Sequence, residues 1–444
     1  MTTRDLDGSA GVPVGPQNRD QEMLDLLQRE TFCYFSTEAN PENGLVRDKT
    51  DPQFPSNIAV QGLAFASYVI GVERGYWSRE EAVARTLTAL RFFHDSQQGR
   101  ERDATGYRGF YYHFLDMGTG RRAWDCELST VDTAFLIAGA LAAAEYFQND
   151  DESESEIRQI VDALYRRVDW AWALDGGATL THGWKPESGF LPYRWEGYDE
   201  GLALYVLALG SPTHPIPPEC YRAWGSTYEW RSLYDLEFFY AGPLFIHQLS
   251  HAWVDFRGIQ DDFVGRYGID YFENCRRATL MQQRYAIHNP EGFKHYGRDC
   301  WGITASDGPG PSTLTVDGIE RRFYGYLARG APLGPDDGTI SPWAVVASLP
   351  FAPEIVLPTT RYFIEEIRLK SRQIYGFEAS FNATYPEKTN SKFGWVSPWI
   401  FGLNQGPIVM MIENVRNEMI WRLMRKCRYV REGLRLAGFR GGWL

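Results

Sequence analysis

Hydrophobic residues recur at helical spacing along most of the chain. From Met23 onward, apolar positions lie three or four residues apart over many segments, and longer polar stretches separate these segments. Ser78 followed by Glu81 forms a capping box, which is typical of the start of a helix. The pattern predicts about twelve helices, the clearest of them at 57–76, 78–94, 130–147, 155–174, 198–209, 242–258, 268–286, 340–349, 359–374 and 406–425.

Strand signals are few. The segments 180–195 and 103–114 are each compatible with a hairpin, but strands do not alternate with helices, which argues against a parallel α/β sheet. We therefore predict an all-α fold, a double ring of helices with long loops over a cleft at one end. No change of composition indicates a linker. Residues 1–18, polar and rich in Gly and Pro, are predicted to form a flexible leader, and residues 19–444 a single domain.

Composition and charge restrict the functional classes. The net charge of -12 repels phosphate backbones, so the sequence argues against nucleic-acid binding. Six cysteines show no metal-type spacing and are expected to be isolated thiols. No run of apolar residues is long enough for a membrane span. The first residues lack a signal peptide's apolar core, which predicts a cytoplasmic protein, or a periplasmic or secreted one if a signal has been removed. The sequence does not indicate whether the protein is a monomer or an oligomer.

Tryptophan is unusually frequent, and several of the 15 copies lie beside Gly, Pro, Asp or His in predicted loops. The flat indole face and its polar N–H edge suit sugar rings, which have apolar faces and hydroxylated rims. A large aromatic core is the alternative explanation. The candidates for sugar stacking are Trp124, Trp195, Trp301 and Trp343.

Two acidic segments precede predicted helices. Asp125 and Asp132 lie around the start of the helix after Ser129, and Glu200 lies in the first turn of the helix predicted at 198–209. Acidic residues favour helix N-termini for electrostatic reasons alone, and Asp132 also fits a capping box with Ser129. The functional alternative is a glycosidase pair, in which one carboxylic acid protonates the leaving oxygen and a second carboxylate acts as base or nucleophile.

Metal and phosphate chemistry have little support. His247 and His251 lie four residues apart, with Asp255 one turn further, a spacing that can bind a metal ion on a helix. The intervening residues lack the Glu of the metalloprotease motif, so hydrogen bonding to carbohydrate or backbone is the favoured role. Neither a P-loop nor a GxSxG nucleophile elbow occurs. We predict no cofactor and no metal.

Several segments, in order along nearly the whole chain, together resemble the bacterial glucoamylase-like family, which includes glycoside hydrolase family 144. They are residues 43–48, 127–133, 198–200, 209–215, 242–248, 253–258, 301–309, 337–342, 404–407 and 411–414. The resemblance implies an (α/α)6 barrel and an inverting endo-β-1,2-glucanase, with relatives that release sophorose or transfer and cyclise glucan chains. A neutral glucan is the implied substrate.

The resemblance also implies roles for individual residues. Glu200 corresponds to an essential acidic residue and is the expected general acid, while Asp125 and Asp132 correspond to further acids of the cleft. The family carries a late Asp at one of two positions where this chain has Glu378 and Asn404. If the position of Asn404 holds the base in the family, this chain lacks a titratable group there. If the position of Glu378 holds it, this chain keeps a carboxylate there. The expected substrate-binding residues are Trp124, Trp195, His247, Asp255, Trp301, Trp343, Asn404 and Gln405.

Three alternatives remain open at this point. The same site could transfer glycosyl groups, which requires exclusion of water. The Asn at position 404 is compatible with a protein that binds glucan without cutting it. A helical toroid could also act on another polysaccharide, although little clustering of Lys and Arg argues against a polyanionic substrate.

Overall fold

The computed structural model describes residues 16–370, 375–386 and 393–444. Most of its helices coincide with predicted segments, while the predicted leader at 1–18 lies outside the described residues except where the first helix begins. The α-helices are α1 (Pro16–Thr37), α2 (Ile58–Glu73), α3 (Arg79–Asp95), α4 (Thr130–Tyr146), α5 (Glu152–Arg167), α6 (Leu202–Leu209), α7 (Pro218–Gly225), α8 (Leu249–Trp253), α9 (Asp262–Gly265), α10 (Tyr271–His288), α11 (Pro342–Ala347), α12 (Pro353–Tyr362), α13 (Gly402–Asn417), α14 (Met419–Lys426) and α15 (Arg428–Leu436).

The predicted helix at 155–174 ends at Arg167 and is followed by a 3₁₀ turn, Trp172–Leu174. The one predicted at 359–374 changes to a π-helix at Phe363–Ile367, and residues 371–374 lie outside the described residues.

Two other predicted helices are interrupted. The segment 242–258 contains a 3₁₀ turn, Leu244–His247, followed by the short α8. The segment 406–425 divides into α13 and α14 at Glu418, whose φ of 59° lies in the left-handed region. Apolar periodicity continues through both breaks, so the sequence pattern did not reveal them.

Six helices, α2, α4, α6, α8, α11 and α13, form the centre of the protein. α2 packs against α4 and α13, α4 packs against α6, α8 contacts α6 and α13, and α11 packs against α13. A 2.6 Å hydrogen bond from Gln248 Nε2 to the carbonyl oxygen of Ala344 joins α8 to α11. Further out, α1 lies on α13, α3 on α2, α5 on α4, α15 on α6 and α12 on α11. Burial on all sides explains the nearly continuous apolar sequences of α2 and α4.

Glycines permit the closest contact between central helices. A Cβ atom built on Gly62 of α2 would lie 2.1 Å from the carbonyl oxygen of Phe135 in α4. A Cβ atom on Gly139 of α4 would lie 2.0 Å from the carbonyl oxygen of Gly62. Because both neighbours are backbone atoms, no side-chain rearrangement could relieve these contacts. The spacing of α2 and α4 therefore depends on both glycines.

Short strands supplement the helices, so the fold is predominantly rather than purely α-helical. They form small antiparallel sheets, including the two hairpins compatible with the sequence and others that were not predicted. The strands are β1 (Ser56–Asn57), β2 (Gly106–Tyr107), β3 (Phe110–Tyr111), β4 (Phe114–Leu115), β5 (Leu128–Ser129), β6 (Gly183–Lys185), β7 (Gly189–Phe190), β8 (Trp230–Leu233), β9 (Leu236–Phe239), β10 (Ala305–Ser306), β11 (Ser312–Val316), β12 (Ile319–Phe323), β13 (Leu327–Ala328), β14 (Thr339–Ile340), β15 (Phe381–Asn382) and β16 (Trp395–Val396).

Contacts between α1 and α13 join distant parts of the chain. Gln28 Nε2 donates hydrogen bonds of 3.0 Å to the carbonyl oxygen of Val409 and to the Glu413 carboxylate. Arg74, at the end of α2, forms an ion pair of 2.7 Å with the same Glu413. These contacts hold α1, α2 and α13 together around one buried carboxylate. Among the described residues, no helix combines the length and apolar character needed to cross a membrane.

Candidate active site

The first turns of two central helices place polar groups side by side. β1 and β5 lead directly into α2 and α4, and their last residues, Asn57 and Ser129, cap these helices. The side chain of Asn57 accepts a hydrogen bond from the backbone N–H of Ala59 (2.9 Å). Ser129 Oγ accepts from the backbone N–H of Asp132 and donates to its carboxylate (2.5 Å). Ser129 is thus the N-cap of α4, as the sequence predicts, and its hydroxyl holds the Asp132 carboxylate near the helix end.

His113 lies at the centre of the acidic groups. Its Nδ1 is 3.0 Å from Glu127 Oε1, and its Nε2 is 3.6 Å from Asp132 Oδ2. Burial disfavours the charged ring, but the charges of Asp132, Glu127 and Asp48 outweigh it and raise the pKa of His113 to about 9. Burial likewise opposes the charged form of Glu127, but the hydrogen bond and charge of His113 lower its pKa to about 2. His113 is therefore a cation at neutral pH.

A second buried carboxylate lies on the other side of Asn57. Asn57 Nδ2 donates to Asp48 Oδ1 at 3.0 Å. Burial raises the pKa of Asp48 to about 6, with a smaller contribution from the Asp132 charge, although His113 and Asn57 favour the charged form. Asp48 is therefore mostly ionised at neutral pH.

Glu200 differs from these carboxylates. It is half-buried just before α6. Burial, and then the negative charges of Asp132 and Asp199, raise the pKa of Glu200 to about 8 against the opposing effect of His113. Asp199 accepts hydrogen bonds from the backbone N–H of Gly201 (2.8 Å) and from an indole N–H. Glu200 is thus mostly protonated at neutral pH, as a proton donor must be.

Tyr326 and Asp307 complete the group from other loops. Tyr326 is 59% exposed, so part of its ring faces solvent. Desolvation of its hydroxyl by nearby protein, and then the charges of Asp48 and Glu200, raise the pKa of Tyr326 above the ordinary range. The Asp307 charge acts on the same hydroxyl. Ser397 Oγ donates to Asp307 at 2.8 Å. A side chain that is both open to solvent and set among acidic groups indicates a cleft rather than a convex surface.

Aromatic side chains lie next to the acidic group. Trp124 is 58% exposed and packs edge-on against Phe54, with ring centres 4.7 Å apart, and against Phe114, the neighbour of His113. Lys49 Nζ lies 3.7 Å from the centre of the Phe54 ring. Trp124 is thus the predicted indole that is open to a ligand.

The other predicted indoles lie in the interior. Trp195 is buried, and its N–H donates to Thr130 Oγ1 at 2.9 Å. Trp301 is fully buried and donates to Thr359 Oγ1 at 2.8 Å. Trp343 is only 4% exposed, on α11. The prediction that these three indoles stack on sugar rings is therefore wrong. Their loop-like sequence surroundings suggested exposure, but the side chains point into the core.

His247 and Asp255 are also interior residues rather than ligand contacts. His247 Nε2 lies 3.2 Å from the carbonyl oxygen of Ala241, and burial lowers its pKa to about 4, so the ring is neutral. Asp255 is 1% exposed and forms an ion pair of 2.8 Å with Arg257 and another with Arg425. Within the described ranges, no three His, Cys, Asp or Glu side chains are arranged to hold a metal ion.

The remaining predicted residues are more scattered. Asp125 is exposed and pairs with Arg102 at 2.9 Å, and none of the contacts described above involves it. Glu378 is half-buried, and its backbone N–H donates to the carbonyl oxygen of Leu369. Asn404 and Gln405 lie buried in the first turn of α13. Of the predicted acids, Glu200 and Asp132 are the two that the structure brings together.

Sequence reasoning did not select Asp48, His113, Glu127, Tyr326 or Asp307. Asp48, Glu127 and Asp307 lie in the segments 43–48, 127–133 and 301–309, so the family resemblance was a usable signal for these three. His113 lies near the end of the segment 103–114, which is compatible with a hairpin, and it has no motif of its own. Its position depends on the pairing of β1 with β4, which sequence spacing does not reveal.

Comparison with known proteins identifies the family of the chain. Residues 192–428 match the model of the Glycoamylase family, described as "Putative glucoamylase". An exo β-1,2-glucooligosaccharide sophorohydrolase of Parabacteroides distasonis is 29% identical over 94% of this chain. The chain spans 57% of the length of that curated relative.

Solved structures of similar sequence and fold include members described as glucoamylases and β-1,2-glucanases. A Bacteroides uniformis protein, described as a "putative glucoamylase", is 32% identical with a TM-score of 0.84, over 98% of this chain and 100% of that one. An endo-β-1,2-glucanase of Chitinophaga pinensis, in complex with sophorotriose and glucose, is 28% identical with a TM-score of 0.83, over 96% and 99%. An endo-β-1,2-glucanase of Talaromyces funiculosus shares the fold at 13% identity, with a TM-score of 0.68 over 95% and 91%.

Proposed function

The chain belongs to the Glycoamylase family, and we propose that it is a glycoside hydrolase that cleaves β-1,2-linked glucan. The observation that carries the proposal is the protonated Glu200 beside Asp132 in an open cleft, since hydrolysis of a glycosidic bond requires an acid and a second carboxylate. The names of the relatives from P. distasonis and C. pinensis support the choice of linkage.

The architecture we propose is the (α/α)6 barrel, formed by residues 19–444 as one domain. The six central helices, which follow one another around the interior, support an inner ring, and the helices packed outside them support an outer ring. In this arrangement the first turns of α2 and α4 and the start of α6 open into one cleft.

In the proposed mechanism, Glu200 transfers its proton to the glycosidic oxygen as the bond to the anomeric carbon breaks. Asp132 accepts a proton from a water molecule, which attacks that carbon from the opposite face and inverts its configuration. Ser129, which donates a hydrogen bond to Asp132, and the cationic His113 nearby orient its carboxylate for this role. The two carboxyl groups have different surroundings, since burial favours a proton on Glu200 whereas Asp132 faces the Ser129 hydroxyl and the His113 ring.

The proposal also has a finer part, which is endo-acting cleavage. The structure of the C. pinensis endo-β-1,2-glucanase is similar to this chain, with a TM-score of 0.83, and this similarity supports internal cleavage. Short products of several sizes are expected from linear β-1,2-glucan at early times, whereas an exo-acting enzyme would release sophorose alone.

The decisive test replaces the proposed acid. Glu200→Gln keeps the size of the side chain and removes the proton donor, so turnover of linear β-1,2-glucan should fall by at least about a hundredfold while folding is retained. Glu196→Gln makes the same change on an exposed side chain bonded to Thr179 and should leave turnover unchanged. Activity close to normal in the Glu200 variant would refute the assignment.

Two further readouts accompany this test. Proton NMR at early times should show an inverted anomer, and longer or cyclic products without new reducing ends would instead identify a transferase. The rate should also decline as the pH rises through about 8, because Glu200 loses its proton there. A rate that stays constant across that range would contradict the proposed role of Glu200.

A further inference from the structure

The end of the chain has a charge opposite to that of the rest. Residues 419–444 contain seven Lys or Arg residues and one Glu, a formal charge of +6 in a protein whose net charge is -12. Most of these residues belong to α14 and α15, whose apolar sides are buried while most of the basic side chains are exposed. Such an asymmetry is typical of a surface that meets an anionic partner.

A surface cavity of about 720 Å³ lies between this segment and the end of α6 that is far from Glu200. Of the lining residues that the structure describes, only Glu432 is acidic. Part of the wall is apolar and includes Leu209 and Leu436. The basic lining residues are Arg166, Lys426, Arg428, Arg431 and Arg435.

The basic side chains fall into two groups. Asp162, beside the cavity, pairs with Arg166 at 2.6 Å and with Arg428 at 3.4 Å, so one carboxylate holds two guanidinium groups. Across the described part of the chain, Arg431 and Arg435 have no carboxylate within ion-pair distance. Like charges that share a cavity repel one another, and a bound anion would remove this repulsion.

We propose that this cavity binds a phosphate-bearing anion. Guanidinium groups match phosphate geometry and form paired, charge-assisted hydrogen bonds with it. The volume suits a small organic ligand, and the apolar wall suits its uncharged part. A soluble phosphate ester and the headgroup of an anionic phospholipid share this chemistry. The site corrects the expectation that the chain lacks clustered Lys and Arg, and it is separate from the proposed glucan cleft.

Binding of two probes tests the proposal. Pyrophosphate, followed by titration calorimetry, represents the soluble source, and phosphatidylglycerol vesicles, followed by co-sedimentation against phosphatidylcholine vesicles, represent the lipid source. The natural chain should bind one of them, and the double variant Arg431→Gln/Arg435→Gln should bind it at least about tenfold more weakly. Salt should weaken the binding as well.

The control is Arg298→Gln/Arg322→Gln, which removes the same charge from exposed positions outside the cavity. Its binding should equal that of the natural chain. If the cavity double variant unfolds at a lower temperature than the natural chain, Lys426→Gln, at an exposed side chain, replaces it in the comparison. Failure of the natural chain to bind either probe, or an equal loss in the cavity and control variants, would overturn the proposal.

Discussion

Replacement of His113 by Gln removes the cation between the carboxylates of the cleft, and the structure gives the size of the effect. The pKa of His113 is raised from 6.5 to about 9, and that of its partner Glu127 is lowered from 4.5 to about 2. At 1.36 kcal/mol for each pH unit, either change corresponds to about 3 kcal/mol. The two changes share the contact between His113 and Glu127, and the charges of Asp132 and Asp48 also contribute to the change at His113, so the two values are not added. Because 26% of each side chain is exposed, screening reduces the effect to about 2 kcal/mol.

The pH range over which His113 stabilises the protein follows from the upward shift of its pKa. A group with a raised pKa stabilises the folded protein fully below its unfolded pKa, here 6.5, and this stabilisation is lost as the pH rises through about 9. Urea unfolding should therefore show that His113→Gln costs about 2 kcal/mol more at about pH 6 than at about pH 10. Any effect on packing contributes equally at both values.

His94→Gln provides the control, because its exposed ring pairs with Asp95, which is more exposed still. The cost of this change should be nearly independent of pH, since exposed ion pairs contribute little. An equal cost of His113→Gln at both pH values would refute the conclusion that a charged His113 organises the cleft.

Three further predictions concern the cleft and the core. Asp132→Asn should reduce kcat at least about a hundredfold, and it should move the alkaline decline in rate to lower pH, because a negative charge beside Glu200 disappears. Gly62→Ala should destabilise the protein by about 2 kcal/mol or more in thermal unfolding, whereas Gly118→Ala, which meets no atom closer than 3.6 Å, should change little. Trp124→Ala should raise KM for glucan about threefold to tenfold with little change in kcat, and an unchanged KM would exclude stacking there.

The sequence predicted most helices because their signals are local. Ser129 with Asp132 and Ser78 with Glu81 marked two helix starts that the structure confirms through hydrogen bonds from the backbone to the serine hydroxyls. The interruption at Glu418 was missed, since the apolar spacing continues on both sides of it. The short strands were mostly missed because two-residue strands carry too little pattern to detect.

The candidate site was only partly predictable, for reasons of topology. Glu200 and Asp132 carried local signals at helix starts. His113 becomes important only when β1 and β5 bring Asn57 and Glu127 to its two ring nitrogens, and this depends on strand pairing across the chain. The indole of Trp301 illustrates the opposite error, because a loop-like sequence gave no sign that the ring would be covered.

The contacts of Gln28 with Val409 and Glu413 also set the order in which the protein can be assembled. They join residues 381 and 385 positions apart, so they cannot form while the chain between them is being synthesised. At usual translation rates that interval is on the order of 20–80 seconds, during which α1 and α2 lack the helix that packs against both. The apolar sides of these two helices must stay protected until α13 arrives. Rapid synthesis or chaperone binding should therefore affect the yield of this protein more than that of a protein built from local contacts.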